Sequence, residues 1–122
     1  MNVLVVDDDE GVRSSLSGFI ESERHTCRTA KNGMEALEML KNYQPDFIIT
    51  DISMPKMTGI ELIRHIRTKY TDRNTKIVLA SGRQPSKTEL QLIAEIGVSE
   101  VIKKPINPLK IREHLRSKHP CN

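Results

Sequence analysis

The stretch IITDISMPKMTG, Ile48 to Gly59, runs from an apolar segment into a carboxylate and then into a loop holding Pro55 and Gly59. Short apolar runs bounded by turn residues form the cores of buried strands, and in α/β sheets ligands and chemistry gather beyond the carboxyl ends of strands. Asp51 is thus delivered to the end of a buried strand, where solubility alone gives it no reason to be. Working outward, the apolar run Phe47 to Ile49 has counterparts in Val3 to Val6, Ile77 to Ala80 and Val101 with Ile102. Their branched side chains read as strands buried on both faces. Thr26 to Ala30, half polar, suits an edge strand.

Between these runs apolar residues recur at spacings of three and four, the mark of an amphipathic helix. The sets are Val12, Leu16, Phe19 and Ile20; Ala36, Leu37 and Leu40; Leu62, Ile63 and Ile66; Leu90, Ile93 and Ala94; and Leu109 with Leu115, with Arg112 between them. Asn32-Gly33 separates the second strand from its helix, Ser86 with Glu89 has capping-box spacing, and Gly97 suits a C-terminal cap. Strand then helix, five times over, predicts an α/β, doubly wound fold with a parallel five-stranded sheet, right-handed crossovers and helices on both faces. Residues 1–122 are expected to form one domain.

Composition narrows the function. No apolar run approaches the roughly 20 residues that span a bilayer, and the opening MNVLVVDDDE turns acidic too soon for a signal peptide. The expectation is a cytoplasmic protein with no membrane partner. Two cysteines, Cys27 and Cys121, without a C-x-x-C pair, point to reduced thiols rather than a disulfide framework or a zinc site. A net charge of +3 is compatible with nucleic acid, but 3% aromatic residues offer few stacking platforms and no nucleic-acid motif is present, which argues against direct binding. His25, His65, His114 and His119 lack metal-ligand spacing and are expected at the surface; Met34, Met39, Met54 and Met57 are expected in packing.

A parallel sheet brings the carboxyl ends of all its strands to one edge. The first strand delivers Asp7, Asp8 and Asp9, the third Asp51, the fourth Ser81 and Gly82, and the fifth Lys103, Lys104 and Pro105. Gathered carboxylates repel unless a cation sits among them, and hard oxygen ligands favour Mg²⁺. A divalent metal, a carboxylate, a hydroxyl and an ammonium around one crevice suit phosphoryl transfer with the carboxylate as nucleophile. Each residue also has an ordinary reading. Asp9 is expected only to cap the first helix, Asp51 alone would pass for a turn aspartate, Ser81 for a loop serine, and the two lysines for a solvated pair.

Five segments in order, VLVVDDDE, AKNGMEALEML, PDFIITDISMPKMTGIEL, KIVLASG and VIKKPI, resemble the response-regulator receiver domain of two-component signalling, the CheY-like family. The resemblance covers the chain from end to end. It implies a flavodoxin-like (βα)5 three-layer sandwich with strand order 2-1-3-4-5. It also implies that Asp51 is the phosphoacceptor for a sensor histidine kinase or phosphotransfer protein. Mg²⁺ would be held by Asp8, Asp51 and the backbone carbonyl of Ser53, with Asp7 acting through water. Ser81 would be the switch hydroxyl and Lys104 the lysine pairing with phosphoryl oxygens, with a cis peptide before Pro105.

Departures from the family pattern are equally informative. Val101 stands where the family usually carries Tyr or Phe, so the aromatic half of the switch is missing, and Ser81 with its loop is expected to carry the signal. Small Ser53 leaves space beside the acyl phosphate, whereas long, cationic Arg83 is suited to cover or pair with it. An output protein or attached output domain would meet the face of the fourth helix, fifth strand and fifth helix. Leu92 and Ile96, off the main apolar stripe, hint there at a docking patch or homodimer. Lys110, Arg112, Arg116 and Lys118 give the last helix and tail a basic face. The chain is read as a stand-alone receiver or as the receiver part of a longer regulator. Two rivals remain: a haloacid-dehalogenase-type hydrolase, which wants an aspartate where Ser53 stands, and a receiver-like module that binds proteins without phosphorylation.

Overall fold

The computed structural model describes residues 1–116, and five strand–helix units alternate along them. In order they are β1 (Asn2–Val6), α1 (Glu10–Ser22), β2 (Thr26–Ala30), α2 (Gly33–Leu40), β3 (Phe47–Asp51), α3 (Gly59–Lys69), β4 (Lys76–Ser81), α4 (Lys87–Ile96), β5 (Glu100–Lys103) and α5 (Pro108–Arg116). The sheet is parallel in the order β2-β1-β3-β4-β5. Alternation along each strand divides the core in two. Leu4, Ile48, Ile77 and Leu79 pack with α2, α3 and α4 residues such as Leu40, Ile63 and Ile96. Val3, Val5, Ile49 and Val78 face the other way, against Leu16 and Ile20 of α1 and Ile111 and Leu115 of α5.

Caps set the helix starts. Asp9 accepts the Val12 amide at 3.2 Å, as expected of a cap, and Asn32 accepts the Glu35 amide at 2.8 Å. Ser86 and Glu89 close the capping box read from the sequence, and Gly97 ends α4 in the left-handed region at φ 71°. Two strands run past their apolar cores: β3 continues through Thr50 to Asp51, and β4 from Lys76 to Ser81. Asp51 and Ser81 are therefore the last residues of neighbouring strands, with Asp51 in register with Ala80.

Three sequence expectations are corrected. The buried stripe of α4 is Ile93 and Ile96 with half-buried Leu92, whereas Leu90 is 44% exposed and Ala94 faces solvent. Leu92 and Ile96 thus belong to the core and form no docking patch. Arg67 of α3 braces the end of α4, donating to the Ile96 carbonyl at 3.1 Å and the Gly97 carbonyl at 2.8 Å. In α5 the buried pair is Ile111 and Leu115; Leu109 is 56% exposed, and Arg112 pairs with Glu23 at 2.9 Å instead of packing inward. His114 is no free surface residue, since its ring lies 5.7 Å from that of Phe47 and Nε2 lies 2.8 Å from Glu100. Lys118, His119 and Cys121 lie outside the described residues. Among the described residues no helix is long and apolar enough to cross a membrane.

The backbone after β3 is tightly held. The Gly59 amide donates to the Ile52 carbonyl at 2.8 Å, and a Cβ at Gly59 would overlap the Asp51 carbonyl oxygen. Helix α3 can start this close to the Asp51 backbone only because residue 59 has no side chain. Gly59→Ala is therefore expected to destabilise the fold by about 1–3 kcal/mol, the usual cost of overpacking. Denaturant unfolding measures it, and a midpoint equal to the parent's would contradict this account of the β3–α3 turn.

Candidate functional site

Strand ends assemble the site at one edge of the sheet. Asp7 follows β1 directly and is 2% exposed, its Oδ1 accepting the Asp9 amide at 2.9 Å and its Oδ2 the Lys104 ammonium at 2.8 Å. Asp51 ends β3 and is 6% exposed; its Oδ2 lies 3.1 Å from the same ammonium, and its Oδ1 accepts the Ser53 amide at 3.3 Å. Asp8 lies beside them and is exposed. Lys104 follows β5, its amide donating to the Ser81 carbonyl at 2.7 Å, and the Lys104–Pro105 peptide is cis as the resemblance implied.

One oxygen each from Asp7, Asp8 and Asp51 lies within 4.8 Å of the others, a donor set that fits a hard divalent cation. Asp7 already spends both oxygens on Lys104 and the Asp9 amide, whereas Asp8 faces solvent. Burial pushes the Asp51 carboxyl above its ordinary value of 3.8, and the Lys104 ammonium returns only part of that shift. For Lys104, burial works to lower the value, but Asp7 and Asp51 outweigh it and hold the ammonium above the ordinary range. The arrangement can thus bind a cation and present a carboxylate with an ammonium alongside to an incoming anion.

The residues that follow β4 are engaged within their own loop and with α4. The Ser81 hydroxyl donates to the Arg83 carbonyl and accepts the Arg83 amide at 3.3 Å, so it is engaged by its own loop. The Arg83 side chain is held by Glu89 at 2.8 Å. Val101 is half buried and, with Ser81, Pro85 and Leu90, lines a cavity of about 240 Å³. Ser53 and Pro105 are both exposed. Two contacts beside the site were not foreseen from the sequence. Arg13 of α1 donates to the Asp7 carbonyl at 2.7 Å, six residues back along the chain, and Glu89 holds Arg83. A basic residue one turn into a helix that follows an acidic cluster was a weak signal for the first; the second depends on a loop conformation that spacing does not reveal.

Comparison with known proteins gives a consistent answer. The chain is 33% identical over 112 residues to the Regulator of RpoS of Escherichia coli, an alignment covering 91% of this chain and 32% of that protein. It therefore spans about a third of that relative's length. Among solved structures, the chemotaxis protein CheY4 of Vibrio cholerae matches with a TM-score of 0.85 at 30% identity, covering 94% of this chain and 95% of that one. The response regulator TrrA of Thermotoga maritima, in complex with Mg²⁺-BeF, matches with a TM-score of 0.80 at 30% identity, covering 94% and 96%. The family model of the response regulator receiver domain matches residues 3–116, and the chain belongs to that family of two-component signalling modules.

Proposed function

We propose that the chain is a phosphorylation switch in which Asp51 receives a phosphoryl group from a histidine kinase or phosphotransfer protein. The observation that carries this reading is the sharing of one ammonium, Lys104, by two buried carboxylates beside a third. A carboxylate oxygen of Asp51 forms a bond to phosphorus as the bond from phosphorus to the donor imidazole nitrogen breaks. The nitrogen keeps the electron pair, and Asp51 becomes an acyl phosphate. Lys104, already 3.1 Å from Asp51 Oδ2, is placed to pair with the phosphoryl oxygens. Asp8, Asp51 and the Ser53 carbonyl would hold Mg²⁺, with Asp7 acting through water. When bound, the ion neutralises charge on the transferring group. The Mg²⁺-BeF complex of the Thermotoga relative supports this assignment.

Ser81 would release the Arg83 carbonyl and turn its hydroxyl toward the phosphoryl group. The output protein or domain would meet the face of α4, β5 and α5, where Leu90 and Leu109 are exposed. A cytoplasmic location follows from this reading, and its own chemistry would be limited to self-phosphorylation from small donors and self-dephosphorylation.

Intact mass after incubation with acetyl phosphate and Mg²⁺ tests the proposal. The expected result is a gain of one phosphoryl group that is lost in Asp51→Asn and without metal. No gain, where a known receiver is modified, would favour the phosphorylation-independent binding module. A second prediction concerns stability. Because burial raises the Asp51 carboxyl above 3.8, the folded chain binds more protons than the unfolded one between the ordinary and raised values. Stability therefore falls as pH rises through that window, and ionised Asp51 is a liability at neutral pH. Asp51→Asn is expected to raise Tm at pH 7. Thermal unfolding across pH checks it: the advantage should narrow as pH falls toward 3.8, and a constant or reversed difference would refute it.

A further inference from the structure

Arg83 lies two residues beyond Ser81 in the turn from β4 to α4, and its guanidinium meets Glu89 through two hydrogen bonds. Nη1 donates to Oε1 at 2.8 Å and Nη2 to Oε2 at 2.9 Å, while Nη1 also donates to the Gln84 carbonyl at 3.3 Å. Glu89 is itself anchored. Its Oε1 accepts the Ser86 amide at 2.9 Å and its own amide donates to Ser86 Oγ at 3.1 Å, the reciprocal pair of a capping box. The carboxyl is held down to about 2, first by the Arg83 guanidinium and then by the Ser86 amide. At the other end, the Arg83 backbone is bonded on both sides to the Ser81 hydroxyl. A continuous chain of polar contacts thus runs from Ser81 through Arg83 and Glu89 into the first turn of α4.

We propose that Glu89 is a positioning residue: it holds the Arg83 guanidinium against α4, and an anion arriving at Asp51 competes with it for that guanidinium, which reports occupancy of the site to α4. The inference rests on the reading of Asp51 as phosphoacceptor. Carboxylates and phosphoryl groups both fit the guanidinium fork, so Glu89 and a modified Asp51 are rivals for one cation. A phosphoryl group carries more charge and more acceptor oxygens than a carboxylate, which favours transfer once the site is filled. Ser81 gives the transfer its trigger, since turning its hydroxyl toward the phosphoryl group breaks its bonds to the Arg83 backbone. With Val101 unable to sweep the volume of an aromatic ring, this polar chain supplies a different route from the site to α4.

The test uses beryllofluoride with Mg²⁺ as the probe. Glu89→Gln keeps an acceptor for the capping box, because Gln also serves there, but removes the charge that holds Arg83. Arg83→Met removes the guanidinium and leaves the box intact. Beryllofluoride is expected to bind Glu89→Gln about five- to tenfold more tightly than the parent, the scale of the difference between a charge-assisted and a neutral hydrogen bond. The same substitution in Arg83→Met should change nothing, a dependence that a merely structural role for Glu89 would not produce. As an independent arm, the amide signals of Thr88, Glu89 and Leu90 should shift on adding the probe to the parent and stay still in Arg83→Met. A parent that binds the probe while Glu89→Gln binds it equally well, or shifts affinity with or without Arg83, overturns this inference alone. Equal amide shifts in the parent and Arg83→Met do the same. A parent that binds Mg²⁺ but no beryllofluoride overturns it together with the phosphoacceptor reading.

Discussion

Lys104 Nζ stands 2.8 Å from Asp7 and 3.1 Å from Asp51, and this shared ammonium is what lets two buried carboxylates and a third beside them occupy one sheet edge. Buried charges of one sign are tolerated only with a partner, and removing the partner leaves a desolvated charge with nothing to answer it. The lysine is 97 residues from Asp7 and 53 from Asp51 in the chain, so no local segment can form the contact. It exists only once β5 has paired with β4 and β4 with β3. The apolar strands thus hold three carboxylates around one ammonium, an excess of negative charge at the sheet edge. That excess is what makes the edge receptive to a divalent metal.

The position of Asp51 is fixed as much by backbone as by charge. Its carbonyl oxygen is backed by Gly59, the Ile52 amide bonds to the Ala80 carbonyl at 3.0 Å, and its Oδ1 takes the Ser53 amide. Between Ser53 and Gly59 the chain makes a three-residue turn in which the Met57 amide reaches the Pro55 carbonyl at 2.8 Å and Lys56 adopts φ 72°. Such a conformation costs about 1–2 kcal/mol for a residue with a Cβ. Buried Met54 and Met57 pin the turn on either side of Lys56 and fold their side chains into the core. The loop beyond the candidate nucleophile is thus held by packing, as a group that must meet a partner in fixed geometry requires.

Most of the architecture was legible because the strands are buried on both faces, which writes an unbroken apolar run into the sequence at β1, β3 and β4. The site was legible because a parallel sheet turns strand order into spatial neighbourhood, so residues just past each run had to converge. The short outer helices were not read correctly. In α4 the residues Leu90, Leu92, Ile93, Ala94 and Ile96 offer two overlapping stripes, and the choice between them depends on tertiary packing, with Arg67 reaching across from α3 to the last α4 carbonyls. The same holds for His114, whose place is set by Phe47 and Glu100 on two different strands. Strand ends extended by Thr50, Asp51, Lys76 and Ser81 escaped a search for apolar runs because polar residues can end a strand once their hydrogen bonds are met. Thr50 Oγ1 bonds the Asp51 carbonyl at 3.1 Å, and Lys76 Nζ bonds the His114 carbonyl at 3.3 Å.

Val101, standing where the resemblance leads one to expect an aromatic, bears on which interactions could couple the two ends of the proposed switch. An aromatic switch works through volume, since a ring that leaves the surface must fill space made by the moving hydroxyl. Val101, Ser81, Pro85 and Leu90 line a cavity of about 240 Å³. Valine offers less contact area than an aromatic ring, so packing at position 101 is suited to transmit less. Hydrogen bonds do not depend on volume, and a buried hydroxyl such as that of Ser81, stripped of one partner, must find another. Ser81 is tied to the backbone of Arg83, and Arg83 to a carboxylate built into the first turn of α4. The route proposed for the signal is therefore polar, and it lies in the β4–α4 turn rather than on β5.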